Sequence, residues 1–283
     1  MKVEDCSNNV NLLSDNLKPL EPIDVLKRLR NLISDLVIHI KMLGTFGGYK
    51  ACLSYMIQVE RIKKHCQDTV IFIVLNNVMT VIGWAKTVFK NAMKNSSKID
   101  MLRIFSSDKV IKLFEILHEY KSKSEEELCC LIFVKRRFTA KIIHHILQHL
   151  READQSFNHL VSNFVVGNNN NPYNDSRESL FISKKNREVL NSFVNKEINV
   201  LVSSNVLEEG VDIPKCTLVI KFDKSEDYRS YIQSKGRARH KKSLYYTILE
   251  QDIVIKFREK YNEFVQIEKI LNEVSSWMLK VLK

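Results

Sequence analysis

From Pro22 onward, apolar residues return at steps of three and four: Val25, Leu26, Leu29, Leu32, Ile33 and Leu36, with Lys27, Arg28 and Arg30 between them. That recurrence is one face of an α-helix. The pattern breaks at Leu43–Gly48 (LGTFGG), where Gly44, Gly47 and Gly48 predict a bend in the backbone. Helical spacing resumes from Tyr49 to about His65, and again over 70–94. Residues 95–100 (NSSKID) read as a loop, and Asp108 can cap a helix that carries Val110, Leu113, Phe114 and Leu117 as far as Tyr120. The first 120 residues are therefore predicted to be all-helical, except for a polar stretch at 1–20 expected to be disordered or frayed.

After Lys121–Glu127 (KSKSEEE) the period changes. Leu128–Val134 (LCCLIFV) is a short, unbroken apolar run between charges, which suits a strand buried on both faces of a parallel sheet. A helix is predicted from Thr139 through Leu150, a strand within His159–Val166, a loop over 167–174 and a helix over Ser179–Asn195. Further strands are predicted at Ile198–Val202, Thr217–Phe222 and Leu244–Leu249, and helix again from Val254 to Leu282. Strands alternating with helices predict a right-handed, doubly wound α/β domain. The expected organisation is a frayed segment 1–20, an all-helical domain 21–124, the α/β domain 125–250 and a helical segment 251–283.

Thr69–Ala85 runs for 17 residues without a charge, the lower limit for a membrane-spanning helix. Asn76 and Asn77 at its centre would need partners in lipid, and Lys86, Lys90 and Lys94 follow at helical spacing. A helix buried among other helices is expected, and no membrane partner. Only 7 glycines and 4 prolines in 283 residues disfavour collagen-like, linker-like and many-turned all-β chains. Six cysteines (Cys6, Cys52, Cys66, Cys129, Cys130 and Cys216) include no C-x-x-C pair and read as buried, reduced thiols of a cytoplasmic protein. The net charge of +11 fits a polyanionic partner such as nucleic acid.

Two segments carry candidate chemistry. In Val200–Asp223 a strand runs into Ser203, Ser204 and Asn205, then a short helical stretch, then Glu209-Gly210-Val211-Asp212-Ile213-Pro214. Hydroxyls at a strand's carboxyl end, followed by a helix N-terminus, form a phosphate cradle, although plain helix capping uses the same residues. In Tyr228–Lys242, Arg237 and Arg239 follow Gly236, with Gln233 three residues before it. A guanidinium is a forked, permanently charged donor for phosphate oxygens. His144, His145 and His149 share a predicted helix, but no third ligand stands at a recognised offset, so a helix surface or a satisfied histidine is expected.

Glu208–Pro214 (EEGVDIP) and Tyr231–Arg239 (YIQSKGRAR), at this spacing, resemble motifs V and VI of superfamily 2 helicases, and among these the second RecA-like lobe of the Dicer family. Leu131–Ala140 (LIFVKRRFTA) resembles that family's motif IV strand and turn, and Leu43–Lys50 the helical insertion domain shared with RIG-I-like receptors. Asp108–Tyr120 resembles the helix before the lobe, and Phe264–Leu271 (FVQIEKIL) the start of the helical pincer after it. The fold implied is an α/β, RecA-like doubly wound parallel sheet, preceded by an all-α insertion domain and followed by a pincer segment.

The resemblance implies roles residue by residue. Ser203 and Ser204 match the motif V hydroxyl on the RNA backbone, with Arg136 and Arg137 as further backbone contacts. Gly210 and Asp212 match residues that face the nucleotide ribose. Gln233, Arg237 and Arg239 match groups that reach the ATP phosphates, in the sense of an arginine finger. The two arginines are then expected in the open, at the carboxyl-end rim of the sheet. The implied partners are double-stranded RNA, ATP with Mg²⁺ bound only together with a first RecA-like lobe, and a double-stranded-RNA-binding cofactor protein on the insertion domain. The chain departs from the family at Ser203-Ser204-Asn205, where Ala-Thr-Ser is usual, and at Asn168–Asn171, where His-Gly often stands.

No G-x-x-x-x-G-K-[ST], no D-E-x-H or D-E-x-D, and no ribonuclease III-type acidic cluster occurs in the 283 residues. The expectation is thus a fragment or truncated relative of an endoribonuclease of RNA interference. It would supply one half of an ATP-dependent helicase site and cut nothing itself. A RIG-I-like sensor or related helicase lobe, and a non-catalytic RNA- or protein-binding adaptor, are the alternatives.

Overall fold

The computed structural model describes residues 21–167, 176–204, 213–240 and 242–281. The expectations for 1–20, Asn168–Asn171, Gly210 and Asp212 lie outside them. Internal contacts divide the chain into two units, one of residues up to 107 with 168–183, the other of 108–167 with 184–283.

In the first unit the periodic apolar residues form α1 (Pro22–Lys63), with a proline in its first turn. Its inner face buries Val25, Leu29, Leu32 and Leu36 before the bend, and Ala51, Tyr55 and Val59 after it. The bend sits at Gly44, whose φ of 80° and ψ of −176° are open only to glycine. Segment 105–107 takes up the backbone groups there. Phe46 N–H donates to Phe105 O at 2.8 Å, Ser107 N–H to Leu43 O at 3.3 Å and Ser107 Oγ to Met42 O at 2.6 Å. A side chain on residue 44 would put its Cβ 2.5 Å from Ser107 N and 2.6 Å from Phe105 O, both backbone atoms. Gly44→Ala should therefore destabilise this unit by at least about 2 kcal/mol, read as a shifted denaturation midpoint. An unchanged midpoint would contradict the strain.

Asp68 caps α2 (Thr69–Ala92), accepting from Ile71 N–H at 2.9 Å. This helix corrects the expectation of a helix buried among others. Only Ile71, Leu75 and Ile82 are buried, on the side that packs against α1. Val70 is 69% exposed, Val81 63% and Trp84 70%. A run of 17 residues without charge reads as buried all round, but α2 packs chiefly on α1 and leaves Val70, Val81 and Trp84 outside that contact. It is also the one described helix long and apolar enough to cross a membrane. The short α3 (Lys98–Ile104) follows, capped by Ser97.

The second unit begins with α4 (Asp108–Lys123), which groups with the sheet and not with the helices before it. The unit boundary therefore falls after 107, ahead of the expected 124. The reason lies in what α4 buries. Val110, Leu113, Leu117 and Tyr120 are inside, Phe114 and His118 pack on Phe157, and Lys109 lies over the Phe222 ring and 3.6 Å from Asp223.

The strand β1 (Cys130–Val134) forms in the apolar run, with all its residues buried. Next come α5 (Arg137–Ala153), β2 (Ser162–Val165), α6 (Ser176–Val194), β3 (Val200–Ser204), β4 (Leu218–Lys221), α7 (Tyr228–Lys235), β5 (Leu244–Thr247) and α8 (Gln251–Val281). The five strands form one sheet in the order β2-β3-β1-β4-β5, every pair parallel. Cys130 stands level with Val200 and Leu218, and Leu218 with Leu244. Leu131, Phe133, Leu201 and Val219 point to one face, where Val189 and Phe193 of α6 cover them. Alternate strand residues point to the other face, and α5 packs across β1, β2 and β3 with Ile142, Ile143, Ile146 and Leu147 buried. The result is the RecA-like, doubly wound α/β lobe with helical segments before and after it.

His144 of α5 is a satisfied histidine, its Nδ1 3.0 Å from Ser162 Oγ and its ring 5.4 Å from that of Phe164. No group of metal-ligating side chains gathers among the described residues. Burial, and then the charges of His145 and Lys185, pull the His144 pKa down to about 4. In the unfolded chain it lies at about 6.5. The folded value is the lower one, so the stabilisation is complete above about pH 6.5 and is lost as the pH falls towards 4, with a ceiling of about 3 kcal/mol. Urea denaturation at about pH 7 and about pH 4 should show a loss of stability that His144→Gln largely removes. Equal losses in both proteins would contradict it.

Candidate functional site

The parallel sheet has two edges of different character, and the site residues divide between them. At the carboxyl edge, β1 runs into Lys135, Arg136 and Arg137, while β4 runs through Lys221 into Phe222 and Asp223. Adjacent parallel strands end side by side, so Lys135 N–H donates to Asp223 Oδ2 at 2.7 Å. The Lys135 ammonium pairs with Glu226, which holds that carboxyl below its usual range. Lys221 is buried, donating to Ser230 Oγ at 2.9 Å and lying 5.4 Å from the Phe133 ring centre. A shallow cleft here is lined by Lys135, Lys221, Asp223, Arg229 and Gln233. Arg136 and Arg137, both half-buried, sit where β1 turns into α5.

Ser203 and Ser204 end β3 at the same edge, but both are buried. Ser204 Oγ accepts from Gly167 N–H at 3.2 Å, and Ser203 Oγ donates to the Ser204 carbonyl. The Ser204 hydroxyl thus ties β3 to the residues after β2, the Ser203 hydroxyl is spent within β3, and both side chains are buried. Lys135, Lys221 and Asp223 were not anticipated. The signal was available, because two apolar runs that each end in a charge become neighbours once the strands are parallel.

The arginines lie at the other edge. Asp227 caps α7, accepting from Ser230 N–H at 2.8 Å. The helix then runs back along the sheet for 8 residues, roughly 12 Å, about the length of one strand here. Its end and the following loop meet the starts of β1 and β5. Ser243 Oγ donates to Ala238 O at 3.0 Å, and Leu244 N–H donates to Thr217 O at 3.0 Å. His240 Nε2 and Lys242 Nζ lie 3.6 and 3.4 Å from the Glu126 carboxylate, just ahead of β1. The expected carboxyl-end rim for Arg237 and Arg239 is therefore corrected to the amino end. The sequence put them after a helix but not at which end of the sheet that helix stops.

The two arginines also differ. Arg237 is 7% exposed, close enough to the buried Cys216 for its charge to act on that thiol. Arg239 is exposed, with its Nε held by Gly236 O at 3.1 Å. Gly236 is not a left-handed turn. Its φ is −64°, and its role is close approach, since a Cβ there would lie 3.0 Å from Ile232 O. Gln233 remains in the carboxyl-side cleft and is not gathered with the arginines.

The helix α8 braces α7 from outside. Tyr231 is buried and stacks on Phe264 at 5.4 Å, with Tyr261 and Tyr245 edge-on. Burial pushes its phenol pKa up. Lys235 Nζ pairs with Glu268 at 2.6 Å, and Lys260 Nζ donates to Glu226 O. This brace fixes where α7, and with it the arginine segment, can sit.

Residues 108–242 match the model of the helicase conserved C-terminal domain. The chain is 36% identical over 206 residues to the endoribonuclease dcr-1 of Caenorhabditis elegans, covering 70% of this chain and 11% of that protein. It is 41% identical over 152 residues to the endoribonuclease Dicer-S of Xenopus laevis, covering 53% and 8%. It is 32% identical over 257 residues to the endoribonuclease Dicer homolog 4 of Oryza sativa subsp. japonica, covering 88% and 14%. An alignment of that last length necessarily takes in most of α1 and all of α2 as well as the sheet. The chain spans about a tenth of the length of these relatives.

Proposed function

We propose, for a chain that belongs to the Dicer helicase C-terminal region, that its two sheet edges serve two polyanions. The amino edge offers Arg239, with Arg237 behind it, to the phosphates of ATP held by a first RecA-like lobe. The carboxyl edge offers Lys135, Arg136 and Arg137 to the phosphate backbone of double-stranded RNA, recognised by shape and not by sequence. The observation that carries this reading is the exposed guanidinium of Arg239 at the amino edge, about one strand length from the basic turn after β1.

The residues present fit half of a nucleotide site. A planar, always-charged guanidinium suits phosphate oxygens, and in phosphoryl transfer such a group offsets charge that builds on the transferred phosphoryl. Carboxylates and a phosphate loop for Mg²⁺ and the triphosphate would come from the first lobe. Gly210 and Asp212 stand in the sequence where the ribose contact belongs. Buried Ser203 and Ser204 shape the RNA edge, with direct RNA contact left to the neighbouring cations.

The same reading makes the exposed apolar face of α2, with Val70, Val81 and Trp84, the docking surface for a double-stranded-RNA-binding cofactor protein. In a whole protein of this kind the region would feed duplex RNA to an endoribonuclease of RNA interference, in the cytoplasm. The test is to mix this chain with a Dicer first lobe and measure ATP turnover with duplex RNA. Turnover well above that of either part alone supports the reading. Turnover no higher than that of the first lobe alone opposes it and favours a non-catalytic adaptor.

A further inference from the structure

Three thiols crowd the start of the sheet, and two of them face each other. The register sets Cys130 level with Leu218, so Cys129 stands level with Thr217. Thr217 N–H donates to Cys129 O at 2.9 Å, and Cys129 N–H donates to Thr217 Oγ1 at 3.0 Å. Cys216 is the next residue back on that neighbouring strand, inside the hydrophobic cluster against which Cys129 packs. Its S–H donates to the Pro214 carbonyl at 3.5 Å, and it is the neighbour that favours a thiolate at Cys129. Neighbouring parallel strands lie about 4.8 Å apart, so residues one step out of level have their Cα atoms roughly 6 Å apart, within the span a disulfide bridges.

The two sulfurs differ in what reaches them. Cys129 is half-buried, while Cys216 is fully buried. The hydrogen bond from Cys216 outweighs burial and, with the nearby charge of Lys196, lowers the Cys129 pKa, with Glu127 acting the other way. Cys130 points to the opposite face of β1 and is fully buried, and burial pushes its thiol up. Cys66, the other half-buried thiol among the described residues, has the Asp68 carbonyl at 3.4 Å as its partner and no cysteine.

We propose that Cys129 and Cys216 are a peroxide-reactive pair that closes a disulfide between the starts of β1 and β4. The Cys129 thiolate attacks one oxygen of the peroxide. The O–O bond breaks, the released hydroxide takes up a proton to leave as water, and Cys129 becomes a sulfenic acid. The Cys216 sulfur then attacks the Cys129 sulfur, the S–O bond breaks, and the hydroxyl leaves as a second water with the Cys216 proton. Two electrons pass from the pair of thiols to the peroxide, which is the only co-reactant. In a reducing compartment such a bridge is transient, as redox-sensing disulfides are. It would form within reach of the Arg237 charge, beside the loop that carries Arg239. The proposal does not depend on the nucleotide reading, because what is measured is the cross-link itself.

The full chain, folded and reduced, is exposed to hydrogen peroxide, then unfolded in urea with N-ethylmaleimide present and digested with trypsin. Peptide Ser124–Lys135, which holds Cys129 and Cys130, should appear joined to peptide Cys216–Lys221. The link should vanish in Cys129→Ala, persist in Cys130→Ala and be released by dithiothreitol. The wild-type cross-link needs no variant, so a variant that folds poorly leaves the result intact. Maleimide on both Cys129 and Cys216 at peroxide doses that already oxidise Cys66 would overturn the proposal. So would a link that survives Cys129→Ala through Cys130.

Discussion

Replacing Arg239 with Ala should lower ATP turnover about a thousandfold in a mixture of this chain with a Dicer first lobe. That corresponds to about 4 kcal/mol of transition-state stabilisation, the lower end of what an arginine finger contributes. The side chain is exposed, and its Nε bond to Gly236 O is local, so the fold should be unaffected. Arg239→Lys should not restore the rate, because an ammonium lacks the planar fork. Arg237 is the poorer test. It is buried, so its removal costs packing as well as charge. Turnover measured under saturating ATP, with the melting point of each variant as a control, separates lost chemistry from lost structure. An Arg239→Ala mixture as active as the wild type would end the finger assignment.

The second large effect is on RNA. If Lys135, Arg136 and Arg137 each meet a phosphate, the affinity for duplex RNA should fall about fortyfold between roughly 50 and 200 mM salt, a slope of about −2.7 on logarithmic axes. Removing Arg136 or Arg137 should weaken binding to every duplex alike and make that slope shallower by about one unit. The edge is of mixed sign, with Asp223 and Glu226 engaging Lys135. Glu226→Gln should therefore tighten binding, by freeing the Lys135 ammonium. Fluorescence anisotropy at several salt concentrations checks all three outcomes. An affinity that ignores salt would mean the edge meets something other than phosphate.

Much of this was written in the local pattern of the chain. The run Leu128–Val134 suited a buried central strand, and β1 (Cys130–Val134) lies at the centre of the sheet. The glycines at 44–48 marked a bend, and the φ of 80° is at Gly44. Three features were not legible, each because it depends on what lies across space. The apolar run of α2 says that water should be avoided, but not how many neighbours are present to exclude it. The hydroxyls of Ser203 and Ser204 are suited to an anion, yet the chain nearby claimed them first, through Gly167 N–H and the Ser204 carbonyl. The arginines were read onto the wrong edge because a helix of 8 residues carries its end across the full height of the sheet. The unit boundary moved for the same kind of reason, since the apolar face of α4 fits Phe157 and the sheet.

The central claim is that one sheet presents two separate anion sites on opposite edges. A paired measurement on the reconstituted mixture tests it most directly: duplex RNA affinity and ATP turnover under saturating RNA, for Arg239→Ala and for the double variant Arg136→Ala, Arg137→Ala. The expected result is a crossed pattern. Arg239→Ala loses turnover and keeps its RNA affinity, while the double variant loses affinity and regains turnover once RNA saturates. If Arg239→Ala weakens RNA binding as much as the double variant does, the two edges are not separate sites and the account is wrong.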